Sequence, residues 1–261
     1  MLKSFAGGRL FGGTWGSGLP DVVALHGWRR THHDFTAVFD DADFTAAHSA
    51  VALDLFGFGA TPPPTAGWGT EDYAQHLLPM FDSGEVADRV VLVGHSFGGR
   101  VAVRLARMAP DRVERLVLTG VPLLDRQGRR ATPALTFRMV RRLHRLGLVS
   151  DDRMEAWRQR YGSPDYRAAQ GVMREVFVRV LAERYGDDLA ALTCPVDLVW
   201  GEGDTEAPLE VAERATSLLA NPVLRVLPGV GHLVPTEAPA ALRESVLGER
   251  GELTATEGGR P

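Results

Sequence analysis

The chain is poor in several things that would each have pointed to a function. It has one cysteine, Cys194, which excludes an internal disulfide and a cysteine-rich metal site. It has one lysine, Lys3, against 28 arginines. A base-composition bias explains that better than function does. No stretch of 18 apolar residues occurs, so no membrane-spanning helix is expected, and Met1–Gly13 lacks the apolar run of a signal peptide. A cytoplasmic protein without membrane insertion is therefore expected. The net charge of -4 argues against nucleic acid or an anionic membrane as the main partner. There is no G-x-G-x-x-G and no Walker A string, so no nucleotide cofactor is implied. His32-His33-Asp34 could suggest a metal, but adjacent side chains are expected to diverge and no further ligand is placed; the segment reads as a surface loop.

At 261 residues the chain can bury a full core as one domain with room for a sub-domain. Phe5–Trp15, with paired glycines between short apolar stretches, reads as an antiparallel hairpin. Short apolar runs follow at Asp21–Leu25, Ser49–Leu55, Val90–Val93, Arg115–Thr119, Val196–Trp200 and Val223–Leu227. They are apolar along their length, as parallel strands covered on both faces are. Helical patterns fall between them, at about Glu71–Phe81, Arg100–Met108, Leu209–Leu219 and Pro239–Leu247. Alternating strands and helices predict an α/β fold with a doubly wound, mostly parallel sheet.

The alternation stops between about Pro122 and Asp188. Leu135, Met139, Leu143 and Leu146 form one helical stripe; Ser150 can cap a second helix, and Ser163-Pro164 can open a third. This block, residues 122–188, reads as a helical lid inserted into a core made of residues 1–121 and 189–247. It carries 14 arginines against nine acidic residues, read here as a solvated face in preference to an anion site. The polar tail, 248–261, is expected to be disordered. Asp40, Asp41 and Asp43 read as a solvated loop.

Gly94-His95-Ser96-Phe97-Gly98 lies between the run Val90–Val93 and a helical pattern. A strand that ends, turns sharply and enters a helix forces the side chain at the apex outward, so Ser96 is a candidate nucleophile. Glycines on either side remove β-carbons that would collide in the turn. A serine hydroxyl needs a base, and the base needs a partner that fixes its tautomer. His232 and Asp204 each follow a strand and a Gly-containing loop, and the chain order is then Ser, Asp, His. Asp125 also follows a strand, but the Gly-x-Gly-Asp loop favours Asp204. The oxyanion formed on carbonyl attack needs donors. The amides of Phe97, at the start of its helix, and Trp28, after His26-Gly27, are the candidates. His26 reads as structural, and so does Asp54. His95, Leu233, Phe137 and Trp157 are candidates for substrate contacts.

With these motifs in order, the chain resembles the α/β-hydrolase superfamily from about Val22 to Leu247. The resemblance rests on Gly94-His95-Ser96-Phe97-Gly98-Gly99, His26-Gly27-Trp28, Gly201-Glu202-Gly203-Asp204, Gly231-His232 and the segment Asp54–Thr61. It implies a serine hydrolase that acts on a carboxylic ester or a related small acyl compound, with a small-molecule partner. Superfamily members with an aspartate nucleophile, the haloalkane dehalogenases and epoxide hydrolases, do not match Ser96. Two other functions stay open. Ser96–Arg100 resembles the menaquinone-pathway synthase that expels pyruvate and the capped C–C hydrolases, which use the same triad. A ligand sensor on a hydrolase fold would also keep these residues.

Overall fold

The computed structural model describes residues 1–125, 139, 140, 142–144, 146–161 and 164–248. Eight strands form one sheet: β1 (Leu2–Phe5), β2 (Leu10–Trp15), β3 (Val22–Leu25), β4 (Ala50–Asp54), β5 (Val90–His95), β6 (Val113–Thr119), β7 (Val196–Gly201) and β8 (Pro222–Leu227). Their spatial order is β1-β2-β4-β3-β5-β6-β7-β8. β1–β2 and β2–β4 pair antiparallel, and every later pairing is parallel. This is the doubly wound, mostly parallel α/β sheet that the sequence predicts.

The continuous apolar runs have a hidden period of two. Leu25, Val51, Leu53, Leu92, Leu116, Leu118, Leu198 and Trp200 pack into one core, beneath the helices Thr70–Leu77, Phe97–Met108 and Leu209–Thr216. Ala24, Ala50, Ala52, Val91, Val93, Val117 and Val199 face the other core, against Phe35, Phe39, Phe44, Val234 and Leu242. Both faces are apolar because both are covered. The second face carries the smaller side chains, and aromatic rings from the 30s and 40s fill the space they leave.

Several expectations need correction. The helix expected over Glu71–Phe81 is two, Thr70–Leu77 and Pro79–Asp82, because Pro79 has no N–H to continue the ladder. The helix expected from Arg100 begins at Phe97; Gly98 and Gly99 in its first turn are weak helix formers and hide it in sequence. Asp41 and Asp43 do not form a solvated loop: the Asp41 side chain accepts the Phe44 amide at 3.0 Å and caps the helix Ala42–Ala47, and Asp43 lies in that helix's first turn. His32 and His33 do not diverge. They lie in a short 3-10 turn with ring centroids 4.1 Å apart, and His32 Nδ1 is 2.9 Å from Asp54.

Within 122–188 the described residues contain the helices Asp151–Tyr161 and Pro164–Ala168, as expected, and two more, Gly171–Ala182 and Gly186–Ala191. No strand occurs among them. Leu135 and Phe137, with the tail after Gly248, lie outside the described residues. Among the described residues no helix is long and apolar enough to cross a membrane.

Candidate active site

Every functional side chain that the sequence singles out as a triad sits where a strand of the sheet ends. β5 stops at His95, and Ser96 takes φ 49° and ψ -113° before the helix Phe97–Met108 starts. A non-glycine residue held there is strained by about 1–3 kcal/mol. The surroundings hold it: the Ser96 amide donates to the Thr119 carbonyl at 3.0 Å. The flanking glycines are required by space. A β-carbon at Gly94 would lie 2.4 Å from Gly99 Cα, and one at Gly98 2.2 Å from the Leu25 carbonyl oxygen.

Asp204 follows β7 and is buried. Its Oδ1 accepts the amides of Glu206 and Ala207, both at 2.8 Å, which fixes the carboxylate plane. Trp200, at the end of the strand, donates its indole N–H to the Ala207 carbonyl at 2.7 Å and ties down the far side of the same loop. His232 follows β8. Glu237 braces its loop by accepting the Gly231 amide at 2.6 Å and the Leu233 amide at 3.2 Å. Gly120, in a left-handed conformation (φ +57°) after β6, leaves room for the ring: a β-carbon there would lie 3.0 Å from it.

The three side chains meet. His232 Nδ1 lies 2.8 Å from Asp204 Oδ2, and His232 Nε2 lies 3.2 Å from Ser96 Oγ. With Nδ1–H donated to the carboxylate, Nε2 is left to accept the serine proton. Asp125 is elsewhere; its carboxylate pairs with Arg184 at 3.2 Å and is exposed.

Among the described residues, the amides of Phe97 and Trp28 donate to no other residue. Phe97 is the first residue of its helix, where an amide has no intrahelical acceptor. In this loop the residue with positive φ is Arg29, at 58°. Gly27 is needed for clearance, since a β-carbon there would come within 3.0 Å of the His95 ring.

A cavity of about 490 Å³ opens over Ser96. His95 and Leu233, candidates for substrate contacts, are among its lining residues. His95 Nδ1 donates to the Thr119 carbonyl at 3.1 Å and its ring lies 4.9 Å from that of His232. Burial pulls its pKa down to about 3, so the ring is neutral. His26 is buried too. It makes a 2.7 Å bond from Nδ1 to the Gly27 carbonyl and accepts the Leu55 amide at 3.0 Å, and burial lowers its pKa to about 4. That is the structural role read for it.

The structure does not bring Trp157 to this cavity. It is half-buried on the helix Asp151–Tyr161 and is not among the lining residues. Phe137 lies outside the described residues, as do Arg126, Arg129, Arg130, Arg138 and Arg141, while Arg142 is exposed. In place of Trp157, the 122–188 block contributes Phe177, Val180 and Leu181, all on the helix Gly171–Ala182. That helix was not read from the sequence. Charged residues also line the cavity: Arg30, Arg100, Asp165 and Glu206. Arg100 ends the Ser96–Arg100 segment and Glu206 stands two residues after Asp204, whereas Arg30 and Asp165 carry no signal in the sequence. No group of three or more metal-ligating side chains that could hold an ion occurs among the described residues.

The fold is that of an alpha/beta hydrolase. The sequence profile of the Alpha/beta hydrolase family matches residues 22–245, and the chain belongs to that family. It is 30% identical over 237 residues to a 2-hydroxy-6-oxo-2,4-heptadienoate hydrolase of Pseudomonas putida, covering 85% of this chain and 82% of that one. It is 29% identical over 258 residues to an esterase of Mycobacterium tuberculosis, covering 90% and 84%. Among solved structures, a thermophilic esterase from Thermogutta terrifontis superposes with a TM-score of 0.68 at 23% identity, covering 95% of this chain and 97% of the other.

Proposed function

We propose that this alpha/beta hydrolase is a serine hydrolase that cleaves a carboxylic ester or a related small acyl compound through an acyl-enzyme. The observation that carries the reading is the unbroken chain from Asp204 through His232 to Ser96, with contacts of 2.8 and 3.2 Å. Ser96 Oγ attacks the carbonyl carbon as its proton passes to His232 Nε2. The carbonyl π electrons move onto oxygen, and the Phe97 and Trp28 amides donate to the oxyanion. When the tetrahedral intermediate collapses, the C–O bond to the alcohol breaks and His232 returns the proton to the leaving oxygen. Water, deprotonated by His232, then attacks the acyl-serine carbonyl; the C–O bond to Ser96 breaks, His232 returns the proton to Ser96 Oγ, and the acid leaves. Asp204 keeps the imidazole in the tautomer that this sequence of transfers needs.

The block 122–188 is proposed to act as the lid. Phe177, Val180 and Leu181 stand over Ser96 and give the cavity an apolar wall, which suits an acyl chain and keeps bulk water off the acyl-enzyme. Arg100 supports this arrangement. Its guanidinium, on the nucleophile helix, donates to the carbonyls of Pro122 at 3.0 Å and Val180 at 3.2 Å, and so bonds both ends of the block's approach to the core.

The relative that acts on 2-hydroxy-6-oxo-2,4-heptadienoate supports a second reading, C–C bond hydrolysis by the same three residues. One experiment separates the two. A fluorophosphonate should label Ser96, and Ser96→Ala should abolish the labelling and lower ester turnover by about 10³-fold or more while the protein stays folded. A panel of short-chain esters set beside a vinylogous 1,5-diketone acid tests the bond type. Labelling at another serine, or retained turnover in the alanine variant, would refute Ser96 as nucleophile.

A further inference from the structure

One loop of the core is fastened to the 122–188 block twice, by adjacent residues. The Trp28 indole packs edge-on against Phe97 and Phe58, with ring centroids 5.3 and 5.0 Å apart. It also meets Phe177 at 5.0 Å, and so packs against the small apolar cluster of Tyr166, Ala169 and Phe177, all three residues of the 122–188 block. The next residue makes the second link, with charge. Arg29 Nη1 donates to Asp165 Oδ1 at 3.4 Å, on the helix Pro164–Ala168. Arg29 stands third in the turn Gly27–Arg30, which the Arg30 amide closes on the Gly27 carbonyl at 3.1 Å. Its φ of 58° is one for which glycine is usual at that place in a turn. A residue with a β-carbon keeps such a conformation only where its surroundings hold it.

We infer that Arg29 is a positioning residue of the oxyanion hole: paired with Asp165, it ties the turn that presents the Trp28 amide to the lid, so that the hole is complete only with the lid seated. The inference rests on the serine-hydrolase reading of this site, with the Trp28 amide as a donor. A donor stabilises the oxyanion only when it stands about 3 Å from where that oxygen forms. The full negative charge exists in the transition state and not in the bound ester, so a misplaced donor costs kcat and spares KM. The Phe97 amide is fixed by the start of its helix and does not depend on the lid. The Trp28 amide lies in a loop, and its neighbours on the lid side, Phe177 and Asp165, are what the seated lid supplies.

Both partners are about half exposed, at 55% and 45%, so water and salt weaken the pair. The expected effects are accordingly modest. Arg29→Gly suits a φ of 58° and removes the guanidinium alone; Asp165→Asn removes the charge on the other side. Each should lower kcat for a short-chain ester about three- to five-fold, with KM nearly unchanged. Each should weaken a trifluoromethyl ketone, whose adduct with Ser96 carries an oxyanion, by the same factor. The methyl ketone of the same shape, binding without an adduct, should bind as before. Arg29→Asp combined with Asp165→Arg restores the pair with its charges exchanged, and should recover most of the lost kcat. Added salt of about 0.5 M should lower kcat of the wild type toward that of the single variants. If the single variants keep the wild-type kcat, if their loss lies in KM, or if the exchanged pair recovers nothing, the inference is overturned and the hydrolase reading stands. A wild type that neither cleaves the ester nor forms the ketone adduct would overturn the hydrolase reading, and this inference with it.

Discussion

His232 and Asp204 meet at 2.8 Å across 28 residues of chain that include a helix and the whole of β8. Parallel strands make this possible. β7 and β8 both end on the same edge of the sheet, so the loops that follow them converge. Asp204→Asn would present an amide to Nδ1 and disturb the tautomer, and acylation should slow by about 10³- to 10⁴-fold. Asp125→Asn, whose residue pairs with Arg184, should acylate within a few-fold of wild type. Stopped-flow acylation of both variants checks the assignment. A severe loss at position 125 alone would reverse it.

The cavity wall makes a second prediction. Phe177 lines the cavity and also packs on Trp28, with ring centroids 5.0 Å apart. Truncation to Ala enlarges the acyl site, and should move the preferred acyl chain to longer lengths with relative kcat/KM changes of about ten-fold. Trp157→Ala, at a residue away from the cavity, should leave the chain-length profile in place. Profiles measured over a C2–C10 ester series decide between these residues. Equal shifts in both variants would remove the helix Gly171–Ala182 from the acyl site.

Two buried neutral histidines make stability depend on pH. His26 and His95 are pulled down to about 4 and about 3 by burial, against an ordinary value of about 6.5. Below pH 6.5 the unfolded chain takes up protons that the folded chain refuses. Their contribution is full above that pH and is lost as pH falls toward the folded values. From pH 7 to pH 5 each should cost about 2 kcal/mol of unfolding free energy. Asp54 acts lower: its pKa is depressed, with the amides of Ala60 and His32 outweighing burial, so its share is lost only below the usual carboxylate value. Urea unfolding at pH 7, 6 and 5 reads the histidine window. A flat profile would mean that both rings take up protons in the fold as readily as in the unfolded chain.

Much of this site was legible in the sequence because the signals are local. Gly94 and Gly98 are demanded by contacts under 2.5 Å within and beside one turn, so the elbow is written in five consecutive letters. Asp204 and His232 each follow an apolar strand, and in a parallel sheet strand ends share an edge, so chain order alone was enough to group them. The sheet was legible for the same reason: strands covered on both faces are mostly apolar along their length. Helix bounds were less so, because glycines at 98 and 99 mask a helix that the sheet and the elbow enforce from outside.

What only the tertiary structure decided is which side chains share space without sharing sequence. Trp157 and Phe177 are equally plausible as aromatic residues of the 122–188 block, but of the two it is Phe177, on the helix Gly171–Ala182, that lines the cavity over Ser96. Arg100 reaches the Val180 carbonyl over 80 residues. Glu206 faces His232 only because the Asp204 turn and the β8 loop close on each other. The sequence determined the fold, the elbow and the three candidate catalytic groups, since backbone sterics and burial act on neighbours in the chain. The shape and charge of the cavity came from packing, where a rotation of one helix about its axis exchanges the residues that a substrate would meet.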